Sequence, residues 1–449
     1  MRKILIVGGG TSGLHLAHGL LSHGYDVTVI NGASSQEIRG ARPAVTQFTL
    51  PGALAYEQAS GLARWDHLAP RITGITLDLH PPDGDPVAVE SSFATWGISV
   101  DRRVRAADWL ESFEDRGGMV VVHGVTVTDL DYFSRMYDLI VVAVGHGELG
   151  RLFDPAGPGT GPPGPGTPPR RVLAQAILDG IPDGPHAGWH PVQAPPGAHP
   201  GSAPEPVLAD FAEVASAPGL RAILSPVLTP DGPQHVLQLI GPAGGPMERW
   251  PRRSGSRELL ALMLRTLTEH APGLAARVGG AELLHEGDAG LHSYSPHVRA
   301  PVGSLPSGGA VLGMADVVVS ADDPIAAQAN TVSVACANHY LSRILGHGGG
   351  EFTRAWMEET FAGAWTGAPS AEYPLAGMGR AAADLSRVLD RVWDPDAPAH
   401  LALVLGLAAQ DRRVADRFLG DLDDPRRYAD WLTDADAARA YLAGVAAHP

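Results

Sequence analysis

Three glycines near the start, Gly8, Gly10 and Gly13, constrain this chain more than any other feature. They stand in G-x-G-x-x-G spacing directly after the apolar run 4–7, whose β-branched residues suit a strand buried on both faces. Leu14, Leu16, Ala17, Leu20 and Leu21 follow at roughly helical spacing, and Gly24 sits where a helix C-terminus favours positive φ. Residues 27–30 resume the strand pattern, so the stretch predicts a βαβ unit. Gly8 permits the tight turn, Gly10 lets backbone approach a phosphate, and Gly13 lets helix and strand pack closely. Thr11 and Ser12 open the helix, whose free N–H groups and positive partial charge suit a pyrophosphate. The spacing does not choose the dinucleotide. Asn31 stands where an acid usually holds a ribose hydroxyl, and the nearest carboxylate is Glu37.

The bulk properties narrow the function classes. A chain of 449 residues has room for two or three structural units. Its net charge of −16 opposes nonspecific nucleic-acid binding, which needs Lys and Arg against phosphates, and an aromatic content of 6% offers no evident base-stacking platform. Cys336 is the single cysteine, which excludes an intramolecular disulfide or a thiolate-cluster metal site. No H-E-x-x-H, C-x-x-C or G-x-S-x-G occurs, so no metal is expected. The apolar start is too short for a secretory h-region and no run spans a bilayer, so a soluble cytoplasmic protein without a membrane partner is expected. A homodimer is left open.

Along the chain, 32–44 reads as a loop and 45–98 as a small β-rich insertion. Residues 100–115 read as a helix closed by Gly117 and Gly118, followed by strands at 119–122 and 137–145. Twelve of the fifteen residues 155–169 are Pro or Gly, so 154–169 is read as a flexible loop. The stretch 172–300 is again β-rich, with one helix at 257–270 that Ser256 is placed to cap and Pro272 with Gly273 to stop. A short strand at 310–316 ends in Asp316, and Pro324 opens a helix running to about 345. The remainder is helical, with Leu403, Leu407, Val414 and Phe418 read as one face. His15, His18 and His23 follow a helix and are read as packing or surface residues, while His146 is a weak catalytic candidate.

The order of these pieces resembles the flavin-dependent monooxygenases of the p-hydroxybenzoate-hydroxylase type, and within them the styrene and indole monooxygenases. The likeness rests on the glycine turn, on 40–42 (Gly-Ala-Arg), 100–103 (Val-Asp-Arg-Arg), 116–118 (Arg-Gly-Gly) and 137–142, and on Gly145, Leu149 and Gly150. It continues through 296–299 (Pro-His-Val-Arg), 313–316 (Gly-Met-Ala-Asp), Asp323, Pro324, 328–330, 414–418 and Trp431. The resemblance implies an α/β chain with a Rossmann-like FAD-binding fold, a β-rich substrate domain and a helical C-terminus. By this likeness the FAD-binding domain takes 1–48, 99–153 and 305–347, the substrate domain 49–98 and 170–304, and the helical region 348–449.

Carried over by position, Gly8, Gly10, Gly13, Arg42, Arg103, Val125, Asp316 and Asn330 contact FAD, together with Thr11, Ser12, Asn31, Gly145 and Pro324. Val45, Thr46, Pro296 and Ala327 are the pocket candidates. Two departures stand out: Ala315 replaces the second glycine of the family's Gly-x-Gly-Asp, and the stretch after Pro324 is one residue shorter and lacks glycines. The implied chemistry is O₂-dependent epoxidation or hydroxylation of an alkene or indole-like ring through a flavin C4a-(hydro)peroxide. The strand ending at 143–146 (Ala-Val-Gly-His) is not followed by the Asp-Gly segment of single-component relatives, so a separate NAD(P)H-dependent flavin reductase is implied as partner. A single-component hydroxylase or prenyl reductase on the same fold, and a non-catalytic dinucleotide-fold protein, are the alternatives.

Overall fold

The computed structural model describes residues 2–43, 48–145, 147–155, 170–181, 209–320, 328–394 and 397–447. Strand β1 (Lys3–Val7), helix α1 (Thr11–Ser22) and strand β2 (Asp26–Asn31) form the expected unit. Ile4 and Ile6 face one core cluster and Leu5 and Val7 another, so all four are buried and β1 is covered on both faces.

The loop expected at 32–44 holds a short helix, α2 (Ser35–Arg39). Its signal was in the sequence: Ser34 and Glu37 make a reciprocal capping box, and the hydrogen bonds from Ser34 draw the Glu37 carboxyl below its usual range. The 45–98 stretch is β3 (Phe48–Thr49), helix α3 (Pro51–Ala59), β4 (Arg71–Leu79) and β5 (Val87–Ser99), so it is not wholly β. Pro51 favours α3 by occupying its first turn, where no N–H is needed. Next come α4 (Arg102–Asp115), capped by the Asp101 carboxylate, then β6 (Met119–Val122), α5 (Val127–Phe133) and β7 (Leu139–Val142). Strands β8 (Arg171–Asp179), β9 (Ala209–Ala217), β10 (Leu220–Thr229) and β11 (Gly232–Pro242) precede α6 (Ser256–His270) and α7 (Pro272–Val278). Gly255, not Ser256, caps α6; the Ser256 hydroxyl instead donates to the Ala289 carbonyl at 3.3 Å.

Short strands β12 (Glu282–Leu283), β13 (Ala289–Tyr294), β14 (His297–Val298), β15 (Val302–Ser304), β16 (Ala310–Gly313) and β17 (Val319–Ser320) lead to α8 (Gln328–Gly346). The tail is helical as expected: α9 (Arg354–Thr366), α10 (Met378–Asp390), α11 (Ala399–Ala408), α12 (Arg412–Gly420) and α13 (Ala435–Ala447). Of the expected apolar face, Val414 and Phe418 are buried and Leu407 is partly buried against the same core, but Leu403 is not part of it. Leu403 is 56% exposed, whereas Leu401 and Val404 of α11 and Val414 and Phe418 of α12 are buried against the second sheet. The helical period allowed either face of so apolar a helix as α11.

The described strands form two large sheets. The first runs β15-β16-β7-β1-β2-β6, parallel except for β15. The second runs β12-β8-β11-β10-β9-β4-β5-β3, with β13 also on β8. Helices α6 and α7 bury one face of the second sheet and the C-terminal helices bury the other. No helix among the described residues is long and apolar enough to cross a membrane.

A buried polar cluster joins the layers. Arg105 of α4 pairs with the fully buried Glu57 of α3 and donates to Thr49 Oγ1 of β3 at 2.7 Å. Asn330, in the first turn of α8, donates to the same Thr49 oxygen at 2.8 Å. Trp65 and Trp109 lie 5.1 and 5.2 Å from the Arg105 guanidinium. Removing Arg105 takes away the cation paired with the buried Glu57 carboxyl, so Arg105→Ala is expected to lower unfolding free energy by about 3 kcal/mol, read by denaturant titration.

Two histidines of α1 set an acid limit. His15 is buried and neither ring nitrogen has a partner, and burial lowers its pKa to about 4. His18 is lowered to about 4 by the same desolvation. The native state resists the proton that the unfolded chain takes up near pH 6.5. Stability is therefore expected to fall progressively between pH 6.5 and about 4, the full His15 penalty being about 3 kcal/mol. His15→Leu should flatten that part of the stability–pH curve.

Candidate active site

A cavity of about 610 Å³ among the described residues runs from the glycine turn to the wall of the second sheet. At one end lie Gly10, Thr11 and Ser12. Helix α1 has no side-chain cap, so its first N–H groups are left for a ligand. The glycines are placed by packing. Gly8 has φ +118, and a Cβ there meets the Ala143 carbonyl oxygen at 2.2 Å; a Cβ at Gly13 meets the Gly8 carbonyl oxygen at 2.4 Å. At Gly10 the nearest atom to a Cβ is Arg102 Nη2 at 3.6 Å, so the turn is open on the cavity side. Open backbone, uncapped amides and a nearby guanidinium fit a pyrophosphate.

The cavity brings together Gly10, Thr11, Ser12, Gly145, Asp316 and Asn330 of the expected set. Gly8 and Gly13 stand behind the turn as packing positions. Asn31 turns inward: its Oδ1 accepts from Gly9 N at 3.0 Å and its Nδ2 donates to Ala33 O at 2.6 Å, so it braces the turn. Arg103 is directed away. It pairs with the fully buried Asp101 at 2.8 Å and lies 3.7 Å from Asp288, while its neighbour Arg102 lines the cavity. Two adjacent arginines entering a helix point to different sides, and the sequence did not say which. Arg42 is exposed, Val125 is half-buried against the first sheet, and Pro296 is buried between β13 and β14; none lines the cavity. Val45, Thr46, Pro324, Ala327 and His146 lie outside the described residues, as does 156–169 of the Pro/Gly-rich stretch.

The turn after β16 is strained and clamped. Gly313 is obligatory, because a Cβ there meets Val318 Cγ1 at 2.5 Å. Ala315 adopts φ +60, a left-handed conformation that costs an L-residue about 1–2 kcal/mol. Strand β14 holds this conformation. His297 Nε2 lies 2.9 Å from the Asp316 carbonyl, Arg299 N donates to Val318 O at 2.7 Å, and Arg299 Nη1 donates to Gly150 O at 2.9 Å. The result directs Asp316 toward Gly145, with Oδ2 3.9 Å from where a Gly145 Cβ would stand. Cys336 also lines the cavity, and burial pushes its thiol up to about 12, so it stays a neutral, unreactive group.

The far wall, which sequence reasoning did not find, comes from β8, β11 and β13: Leu173, Gln238, Ile240, His292 and Tyr294. Phe361 and Trp365 of α9 close another side. These residues carry no motif. Their only sequence signal is the alternation of strands whose partners lie far apart in the chain.

A family model described as "Styrene monooxygenase A putative substrate binding domain" matches residues 197–277. Two styrene monooxygenases, one from a Pseudomonas species and one from Pseudomonas fluorescens, are each 26% identical over 341 and 339 residues, spanning 74% of this chain and 75% of theirs. Over about three-quarters of its length the chain is similar to styrene monooxygenases. The solved structure of p-nitrophenol 4-monooxygenase from Pseudomonas putida shares its fold with a TM-score of 0.59 at 13% identity, over 95% of this chain and 99% of that one. A flavin-dependent brominase variant gives 0.61 at 13% identity over 98% of both chains. The architecture is thus the p-hydroxybenzoate-hydroxylase-type fold that the resemblance implied. Relief of the backbone strain gives a test: Ala315→Gly is expected to raise stability by about 0.5–1 kcal/mol in denaturant titration, the relieved left-handed cost exceeding the entropy that glycine adds to the unfolded chain.

Proposed function

We propose that this chain is an FAD-dependent monooxygenase, the oxygenase component of a two-component system, acting on a styrene-like or indole-like alkene or aromatic. The observation that carries the reading is the one continuous cavity joining an open dinucleotide turn to a mixed apolar wall on a second sheet. The 26% identity to styrene monooxygenases over three-quarters of the chain supports the reaction class. Bound reduced FAD supplies the two electrons with which one atom of O₂ enters the substrate and the other leaves as water.

The chain's own residues bind, orient and exclude water. The amides of Gly10, Thr11 and Ser12 hold the pyrophosphate, with Arg102 adding charge at the turn. Asp316 accepts hydroxyl hydrogen bonds from the ribityl side, its carboxylate aimed by the clamped turn. The N-terminal end of α8, anchored through Asn330 to Thr49, presents its positive partial charge to the cavity. Ile240, Leu173, Phe361 and Trp365 keep the substrate end dry. Electrons come from a separate NAD(P)H-dependent flavin reductase, the reading supported by the segment after β7.

The test is a reconstitution. The purified chain with FAD is expected to consume no NADH alone. With a flavin reductase and ¹⁸O₂ it should place a single labelled oxygen in indole or styrene. Steady NADH consumption by the isolated chain overturns the two-component reading, and failure to bind FAD in either redox state overturns the flavin reading altogether.

A further inference from the structure

The substrate end of the cavity is less apolar than a hydrocarbon needs. Register shows why. On the second sheet His292 of β13 stands opposite Leu173 of β8, which stands opposite Ile240 of β11. Two residues along, Gly290, Gln175 and Gln238 form the next row on the same face. The amides of Gln238 and Gln175 are buried and joined, Gln238 Nε2 donating to Gln175 Oε1 at 2.7 Å. His292 differs: it is exposed into the cavity and makes no hydrogen bond or ion pair with any described residue. Its ring leans over Gly290, with Nε2 2.9 Å from where a Cβ at 290 would stand, so the missing side chain provides the niche that the imidazole occupies.

We propose that His292 is a specificity-determining residue that selects planar aromatic substrates bearing an N–H or O–H over hydrocarbons of the same shape. The proposal rests on the monooxygenase reading above and decides between its two substrate types in favour of the indole-like one. A neutral imidazole offers one acceptor and one donor nitrogen. Partial desolvation lowers the His292 pKa, which keeps the ring neutral and its acceptor available near neutral pH. The flat apolar pair Leu173 and Ile240 supports the ring plane, while His292 Nδ1 or Nε2 takes the heteroatom proton. Withdrawing that proton's share of charge also enriches the ring for electrophilic oxygen transfer. A hydrocarbon ring leaves the imidazole desolvated and unpaired, and this sets the preference.

The experiment compares indole with indene, its hydrocarbon analogue of nearly the same shape, for binding to the FAD-loaded chain by calorimetry and by perturbation of the flavin absorbance. Indole is expected to bind about tenfold more tightly than indene. In His292→Leu the two ligands should bind alike while FAD affinity is unchanged. In Gly290→Ala, which displaces the imidazole without removing it, the ratio should fall in the same direction. In turnover the loss should appear in KM for indole more than in kcat. A wild-type ratio within twofold, or a His292→Leu variant that keeps the preference, overturns the proposal. A chain that takes up no FAD defeats the functional reading instead, and the same ligand pair titrated into the FAD-free protein still reports on His292.

Discussion

The Arg105–Glu57 pair is the constraint on which the rest of the molecule depends. It ties α4, which packs on the first sheet, to α3 of the insertion, and through Thr49 and Asn330 to the start of α8. Two charges this deep gain little net stability, since their desolvation offsets much of their attraction. Burial accordingly pushes the Glu57 carboxyl up even with Arg105 beside it. What the pair provides is registration: this arrangement of the elements brings both charges together. Arg105 also lines the cavity, so the element that fixes the layers also forms part of the site.

The turn between β16 and β17 shows how strain is retained at the cavity. Ala315 alone would not stay left-handed. The carbonyls of residues 316–318 are each engaged by the short β14 segment, through His297, Arg299 Nη1 and Arg299 N, and Tyr340 donates to the Gly313 carbonyl at 2.9 Å. Four contacts outweigh one unfavourable dihedral. Pro296, a pocket candidate from the sequence, instead leads into a segment at 297–299 that clamps the turn after β16.

Much of the site was legible because its signals are local. The turn at Gly8–Gly13 requires glycine for steric reasons confined to β1, α1 and β7, and G-x-G-x-x-G spacing records those reasons directly. The same holds for the expected helix at 257–270 and for the strands at 119–122 and 137–145. Sequence and structure part where two local outcomes were equally permitted. Asp101 could pair with either arginine that follows it, and it took Arg103, leaving Arg102 for the cavity. Helix α11 is apolar all round, so its period did not identify Val404 rather than Leu403 as the buried side. Ser256 lost the capping role to Gly255 because its hydroxyl found the Ala289 carbonyl of a strand thirty residues on.

The sequence by itself determined the glycine turn, the α/β class and the place of Asp316, because each depends on backbone geometry within one supersecondary unit. Only the tertiary structure decided the far wall of the cavity. His292, Leu173 and Ile240 become a row through antiparallel register between β13, β8 and β11, and the niche for His292 exists because Gly290 lies beside it on the same face. Strand register follows from side-chain burial on both faces of a nine-stranded sheet, a global sum of contacts that no single stretch of the chain records.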